Sequence, residues 1–191
     1  MRDRVLPTLV LLCLTLSVSM AAPDSTYNAV NKGSVLIAGG ISIRNTVNAP
    51  QEWASNAVNV NPRLMYFVAQ NLALGADLNL YIFDHVSTMF EFGLGPRLGY
   101  YFNKPDARAH PFVEMGLSYR TRNAGNGALG GAGVDVSAGI VTMIGSSWGT
   151  EAKIGYLWES LGQSGHGYSD GVFTVGAGLS AWAKSPEDLR K

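Results

Sequence analysis

The residues of this chain that could do chemistry are three histidines, a few serines and a dispersed set of charges. His85-Val86-Ser87 places a candidate base two residues from a candidate nucleophile, and Glu91 follows as a carboxylate that could orient the histidine. His166, Ser169 and Asp170 repeat the residue types, but the carboxylate is adjacent to the serine rather than at alternating spacing. His110 stands apart from both groups, and three scattered histidines make no metal site. No motif calls for a cofactor. The larger stock of charge is Arg44, Arg63, Arg97, Arg120 and Lys153 against Asp77, Glu91, Glu114, Asp135, Glu151 and Glu159. What those groups can do depends on whether the chain brings them together, and so on the elements that carry them.

The chain opens with an export signal. Arg2 and Arg4 precede an apolar run from Val5 to Val18, and Ser19-Met20-Ala21 supplies small residues where signal peptidase cuts. Cleavage is expected after Ala21; the run falls short of the roughly 20 apolar residues that span a bilayer. Residues 22–32 then form a short N-terminal segment. Cys13, the only cysteine, lies inside the signal, so the mature chain has no thiol, no disulfide and no lipid anchor on cysteine. Charged residues are only 15 % of the chain, glycine supplies 23 of 191 residues, and the formal net charge is zero. That is a poor dressing for a water-facing surface, and it offers no basic excess for nucleic acid. No later stretch is long and apolar enough for a membrane helix, so a membrane protein of this composition crosses with strands.

Period-two alternation recurs in eight stretches: 34–44, 58–68, 71–83, 89–102, 112–120, 131–143, 149–159 and 172–181. Each is long enough for a tilted strand to cross a bilayer. One face is apolar throughout, for example Ile37 and Ile41, Leu78 and Leu80, Phe90 and Phe92, Met115 and Leu117, Ile154 and Trp158. The other face holds the glycines and all eleven strand charges named above, five positive and six negative. In a soluble barrel the apolar face would fill a narrow interior and a mostly glycine face would meet water. The reverse assignment suits both faces: apolar side chains meet lipid, while charges pair inside, where an unpaired one would cost several kcal/mol. The expectation is an all-β, closed, antiparallel up-and-down transmembrane barrel of about eight strands over 33–182, followed by a polar tail at 183–191.

The connections 45–57, 84–88, 121–130 and 160–171 fall at one end, and 69–70, 103–111 and 144–148 at the other. Long loops outside, with short turns and chain ends in the periplasm, is the pattern of outer-membrane barrels. Aromatic residues stand where lipid headgroups would lie: Tyr66, Tyr100, Phe102 and Trp148 toward the periplasm, and Tyr119, Trp158 and Phe173 toward the outside. Asn61-Pro62-Arg63-Leu64-Met65-Tyr66-Phe67 echoes Gly95-Pro96-Arg97-Leu98-Gly99-Tyr100-Tyr101. Proline gives no ladder hydrogen bond, so the echo predicts a shared bulge or bend.

On those Pro-Arg-Leu-x-Tyr-aromatic endings, on Asn71-Leu72-Ala73-Leu74-Gly75 and on the glycine-rich final hairpin, the chain resembles the small outer-membrane barrels of the OmpA-type transmembrane domain and OmpX-like group. The resemblance covers nearly all of 33–182 and identifies architecture rather than activity. Such barrels end on an aromatic residue that the assembly machinery reads; here Trp182 is followed by Ala183 to Lys191.

What the resemblance implies is a monomeric protein of the outer membrane of a Gram-negative cell. Its partners would be outer-membrane lipid, lipopolysaccharide included, and the barrel-assembly machinery. A few barrels of this kind deacylate lipid A with a His-x-Ser pair and a carboxylate facing lipid. His85 and Ser87 instead share the interior parity of Glu91 and sit at a tight loop, so no enzyme is expected. An eight-stranded lumen is just wide enough for side chains to fill. The eleven charges therefore read as a plug of ion pairs, with a narrow, porin-like channel for small solutes as the alternative. The outer stretches 45–57, with Trp53, and 160–171, with Gln163, His166 and Tyr168, are the candidate contacts for anything outside the cell.

Overall fold

The structure is a computed structural model that describes residues 30–46, 57–83, 89–102, 104, 107–123, 128–163 and 166–183. The signal, the His85–Ser87 pair, Trp53 and the C-terminal tail lie outside the described residues. Among the described residues, alternating β-branched, aromatic and small residues form nine strand segments: β1 (Val35–Thr46), β2 (Ala57–Val60), β3 (Arg63–Ala69), β4 (Leu72–Phe83), β5 (Met89–Tyr101), β6 (Ala109–Asn123), β7 (Ala128–Met143), β8 (Trp148–Gln163) and β9 (His166–Ala183). Each pairs antiparallel with its neighbour, and β9 returns to β1 from Val35↔Ala183 to Thr46↔Val172. The sheet is therefore a closed barrel with no free edge along that seam.

β2 and β3 are two halves of one stave. Both pair with β1 and β4, and the register runs on from Ile41↔Val60 to Ala38↔Arg63 without a slip. Across the gap Asn61 N–H donates to the Gly40 carbonyl at 3.1 Å, and Leu78 N–H to the Pro62 carbonyl at 2.9 Å. Pro62 thus interrupts the ladder because it has no N–H, and the bulge expected there is absent. Pro96 behaves alike: it pairs with Ala76 on β4, while the β5–β6 pairing skips from Leu94↔Tyr119 to Arg97↔Gly116 in one register. The slip that does occur lies between Phe67 and Ala69, next to a turn in which Asn71 takes a φ of 68°. Asparagine tolerates that left-handed conformation better than other side chains.

The later strands run further than the alternation indicated. The β6–β7 ladder reaches Asn123↔Ala128, and β8–β9 reaches Gln163↔His166. Most of the expected outer loop 160–171 is therefore hairpin, with only 164–165 between the strands. Glycine and serine are numerous there, which hides the pattern, but neighbouring strands supply the pairing. At the opposite end β6 begins at Ala109, so His110 belongs to a strand rather than to a turn and is fully buried. The same end carries both the N-terminal segment and Ala183, and is called the terminal end below; the other is the loop end.

The outward face is an apolar belt that includes Ile37, Leu64, Leu94, Leu117, Ile154 and Leu179, each more than half exposed. Inside, the terminal end is closed by an apolar floor of Val30, Leu36, Met65, Phe67, Tyr101, Phe112, Val141, Met143 and Trp182. Phe67 and Phe112 pack on either side of Tyr101, with ring centroids 5.3 and 5.4 Å away.

Candidate functional site

Above the floor the lumen is filled by charge. The lower ring holds Arg63, Arg97 and Lys153 with Asp77, Glu114, Asp135 and Glu151. Arg63 presents its fork to Glu151, with Nη1 2.8 Å from Oε1 and Nη2 on Oε2, while its Nε lies 3.4 Å from Glu114. Arg97 Nη2 reaches Asp77 at 2.9 Å and Asp135 at 2.7 Å, and Nη1 reaches Glu114 at 3.4 Å. Tyr101 Oη donates to Glu114 at 2.7 Å and so ties the ring to the floor. Lys153 Nζ lies 3.7 Å from Glu151. With the Asn61 amide turned to donate to the Gly40 carbonyl at 3.1 Å, its oxygen accepts from Lys153 at 2.6 Å.

The upper ring places Arg44, Arg120 and Arg122 around Glu91 and Glu159. Arg44 Nη1 is 3.1 Å from Glu91, and its Nη2 bonds Glu159. Arg120 Nε donates to Glu91 at 2.8 Å and lies 3.2 Å from Glu159. Arg122 Nε donates to Glu91 at 2.8 Å, and its Nη2 to Glu159 at 2.8 Å. The guanidinium carbons of Arg44 and Arg120 lie 5.1 and 4.8 Å from the Tyr81 ring centroid, within cation–π range. Asn59 and Asn79 extend the lower ring: Asn59 Nδ2 donates to Asn79 Oδ1 at 3.2 Å, and Asn79 Nδ2 to Asp77 at 2.6 Å.

Local sequence makes room for these long side chains. A methyl group at Gly116 would stand 3.0 Å from Arg97 Nη2 and on the Asp135 carboxylate, and one at Gly133 would stand 2.8 Å from Arg120 Cδ. Only glycine leaves space for the guanidinium chains to cross the lumen there.

All eleven charges named from the sequence face the lumen and take part in the ion pairs. Sequence reasoning misses a twelfth, Arg122, because the fifth expected stretch, 112–120, stops two residues short of it. Arg122 continues the parity of Arg120 and Ser118, and that signal could have found it. It also balances the sum: among the described residues the ion pairs join six cations to six carboxylates. Charge-assisted, often forked hydrogen bonds of this kind are what allow ions to leave water. Asp170, also facing inward, accepts from Gly171 N–H at 2.7 Å.

The hydrolytic candidates do not converge among the described residues. Glu91 is held by three arginines, His110 lies at the other end of the barrel, and Ser169 and Asp170 point to opposite faces of β9. Ser169 Oγ meets Ser160 Oγ at 3.4 Å on the outside.

The aromatic residues named from the sequence stand outward at two levels. Tyr66, Tyr100, Phe102 and Trp148 lie toward the terminal end, with Tyr100 and Phe102 edge to face at 5.0 Å. Tyr119, Trp158 and Phe173 lie toward the loop end, where Tyr156 packs between Trp158 and Phe173 at 4.4 and 5.0 Å. Trp148 and Trp158 share β8; roughly 3.3 Å per residue and about 40° of tilt put them about 25 Å apart along the axis, the height of an outer-membrane apolar band.

No protein-family model matches the chain, and no curated protein matches it by sequence. Solved structures do match. Neisserial surface protein A superposes with a TM-score of 0.64 at 12 % identity, over 78 % of this chain and 99 % of that one. The outer membrane protein OprG of Pseudomonas aeruginosa gives 0.56 at 11 %, over 83 % and 100 %. The N-terminal β-barrel domain of OprF of Pseudomonas aeruginosa gives 0.53 at 16 %, over 80 % and 98 %. At such identities the likeness is one of fold, and that fold is the small outer-membrane barrel.

Proposed function

We propose that this chain is a non-enzymatic outer-membrane protein, exported by a signal cleaved after Ala21. On this reading it stands as a monomer among outer-membrane lipids, lipopolysaccharide included, after insertion by the barrel-assembly machinery. Its role is to reinforce the envelope and to present a rigid rim to the outside, with the chain ends in the periplasm. The observation that carries this reading is the lumen: two rings of mutually neutralised charge over an apolar floor form a filled interior rather than a path. A barrel that wide diffusion must cross needs open water along its axis, whereas here the cross-section is occupied by Arg63, Arg97 and Glu114 at one level and by Arg44, Arg120 and Glu91 at another. The two aromatic levels support a membrane setting, since amphipathic rings favour both interfaces.

The test is to refold the mature protein in detergent, compare boiled and unboiled samples on a denaturing gel, and then record current in planar bilayers. A faster-migrating unboiled band with no sustained conductance is expected. Steady solute-dependent current would replace this reading with the narrow channel. Altered lipid A in cells expressing the protein, lost on His85→Ala, would replace it with the deacylase.

A further inference from the structure

The apolar floor has one member that no strand carries. Leu36, Phe67, Tyr101, Met143 and Trp182 belong to strands of the closed ladder, whereas Val30 precedes β1 and reaches the lumen only because the chain reverses. The reversal is a tight turn in which Ser34 N–H donates to the Asn31 carbonyl at 3.1 Å and Gly33 takes a φ of 88°, a left-handed conformation that side chains disfavour. Two bonds fasten the turn to β3: Gly33 N–H to the Phe67 carbonyl at 2.8 Å, and Phe67 N–H to the Ser34 carbonyl at 2.9 Å. A third clips its far end, from Asn71 N–H to the Val30 carbonyl at 2.9 Å, and Tyr101 N–H in turn donates to the Asn71 carbonyl at 2.8 Å. The Val30 side chain is fully buried in the floor.

We infer that residues 30–34 are a latch that seals the terminal end of the lumen, and that its release admits water to the lower charge ring from that side. The barrel wall does not depend on the latch. Every stave from β3 round to β9 and β1 is held by pairing with its neighbours, so the latch can detach at the cost of a few backbone bonds and one buried side chain while the staves stay paired. This goes beyond the envelope role: it adds a gate to an interior that is otherwise filled.

The mature chain without Cys13 has no thiol, so single cysteines report access cleanly. Ser137→Cys places a probe inward on β7 between the floor residue Val141 and the charge rings; Ser118→Cys places one inward on β6, near the upper ring. Each is combined with Val30→Asp, which makes burial of that side chain unfavourable, and separately with Gly33→Val, which a φ of 88° does not accommodate. The measurement is the rate of modification by a charged, water-soluble thiosulfonate in micelles, with gel mobility certifying that the barrel is closed. Both latch variants are expected to raise the rate at Ser137→Cys at least tenfold and to change that at Ser118→Cys less than twofold. An unchanged rate at Ser137→Cys, or an equal rise at both probes, overturns the latch. If neither variant closes, Val30→Ala, which only trims the side chain, is expected to give a severalfold rise at Ser137→Cys alone, and no rise there overturns it equally.

Discussion

Glu91 and Arg122 sit directly opposite one another in the β5–β6 ladder, and Arg122 Nε donates to the Glu91 carboxylate at 2.8 Å. The same carboxylate also holds Arg44 and Arg120, so one acid neutralises much of the upper ring. Glu91→Gln leaves three arginines around Glu159 alone. Breaking a buried pair from one side costs about 3–5 kcal/mol, and a loss of that order is expected in the urea-unfolding free energy of the barrel in micelles. Adding Arg122→Met should recover part of the loss, because the double variant removes a cation along with the acid.

Leu117 and Ser118 are chain neighbours on opposite faces of β6. If the outward face meets lipid, Leu117→Arg is expected to destabilise the folded barrel in bilayers by about 2–4 kcal/mol. The check is reversible folding into vesicles. A water-facing Leu117 would accept arginine at almost no cost.

Gly116 is predicted to accept a side chain only at a cost to the fold, because Arg97 and Asp135 must shift. Gly116→Val pushes against Arg97 and Asp135 at the crowded centre of the lower ring, and overpacking of this sort costs roughly 1–3 kcal/mol. Thermal loss of the fast-migrating gel band should shift down accordingly, with Val134→Ala, on the outward face, as the mild comparison.

How much of this was legible beforehand depends on the face. Alternation alone separated the lipid-type side chains from the charges, because a barrel wall has two environments and every strand residue must choose one. It did not show where the inner face itself turns apolar. Met65, Phe67, Tyr101, Phe112, Val141 and Met143 fall on the inward parity but sit in apolar runs such as Leu64-Met65-Tyr66-Phe67-Val68, so nothing in the alternation marks the floor. It fails in the glycine- and serine-rich hairpins, where neither face has a character to alternate. Arg122 was missed only because the expected stretch stopped at 120, and the latch could not be seen because a reversal before β1 leaves no periodic trace.

The tryptophans offer a direct view of the geometry. Trp148 and Trp158 are half exposed on the outside of β8, while Trp182 is buried in the floor. Single-tryptophan variants in vesicles of brominated lipid are expected to show quenching of Trp148 and Trp158 by bromines placed near the two headgroup levels. Trp182 should stay bright throughout. Quenching of Trp182 by lipid would invert the assignment of faces at the seam.

That seam sets the order of assembly. Val35 pairs with Ala183, so the two ladder partners that complete the wall come from opposite ends of the strand order and are synthesised far apart in time. Until the final segment arrives, β1 presents a long, unsatisfied hydrogen-bonding edge to whatever is near it. The wall can therefore close only once the last strand is present, and until then that edge is free to pair with other chains.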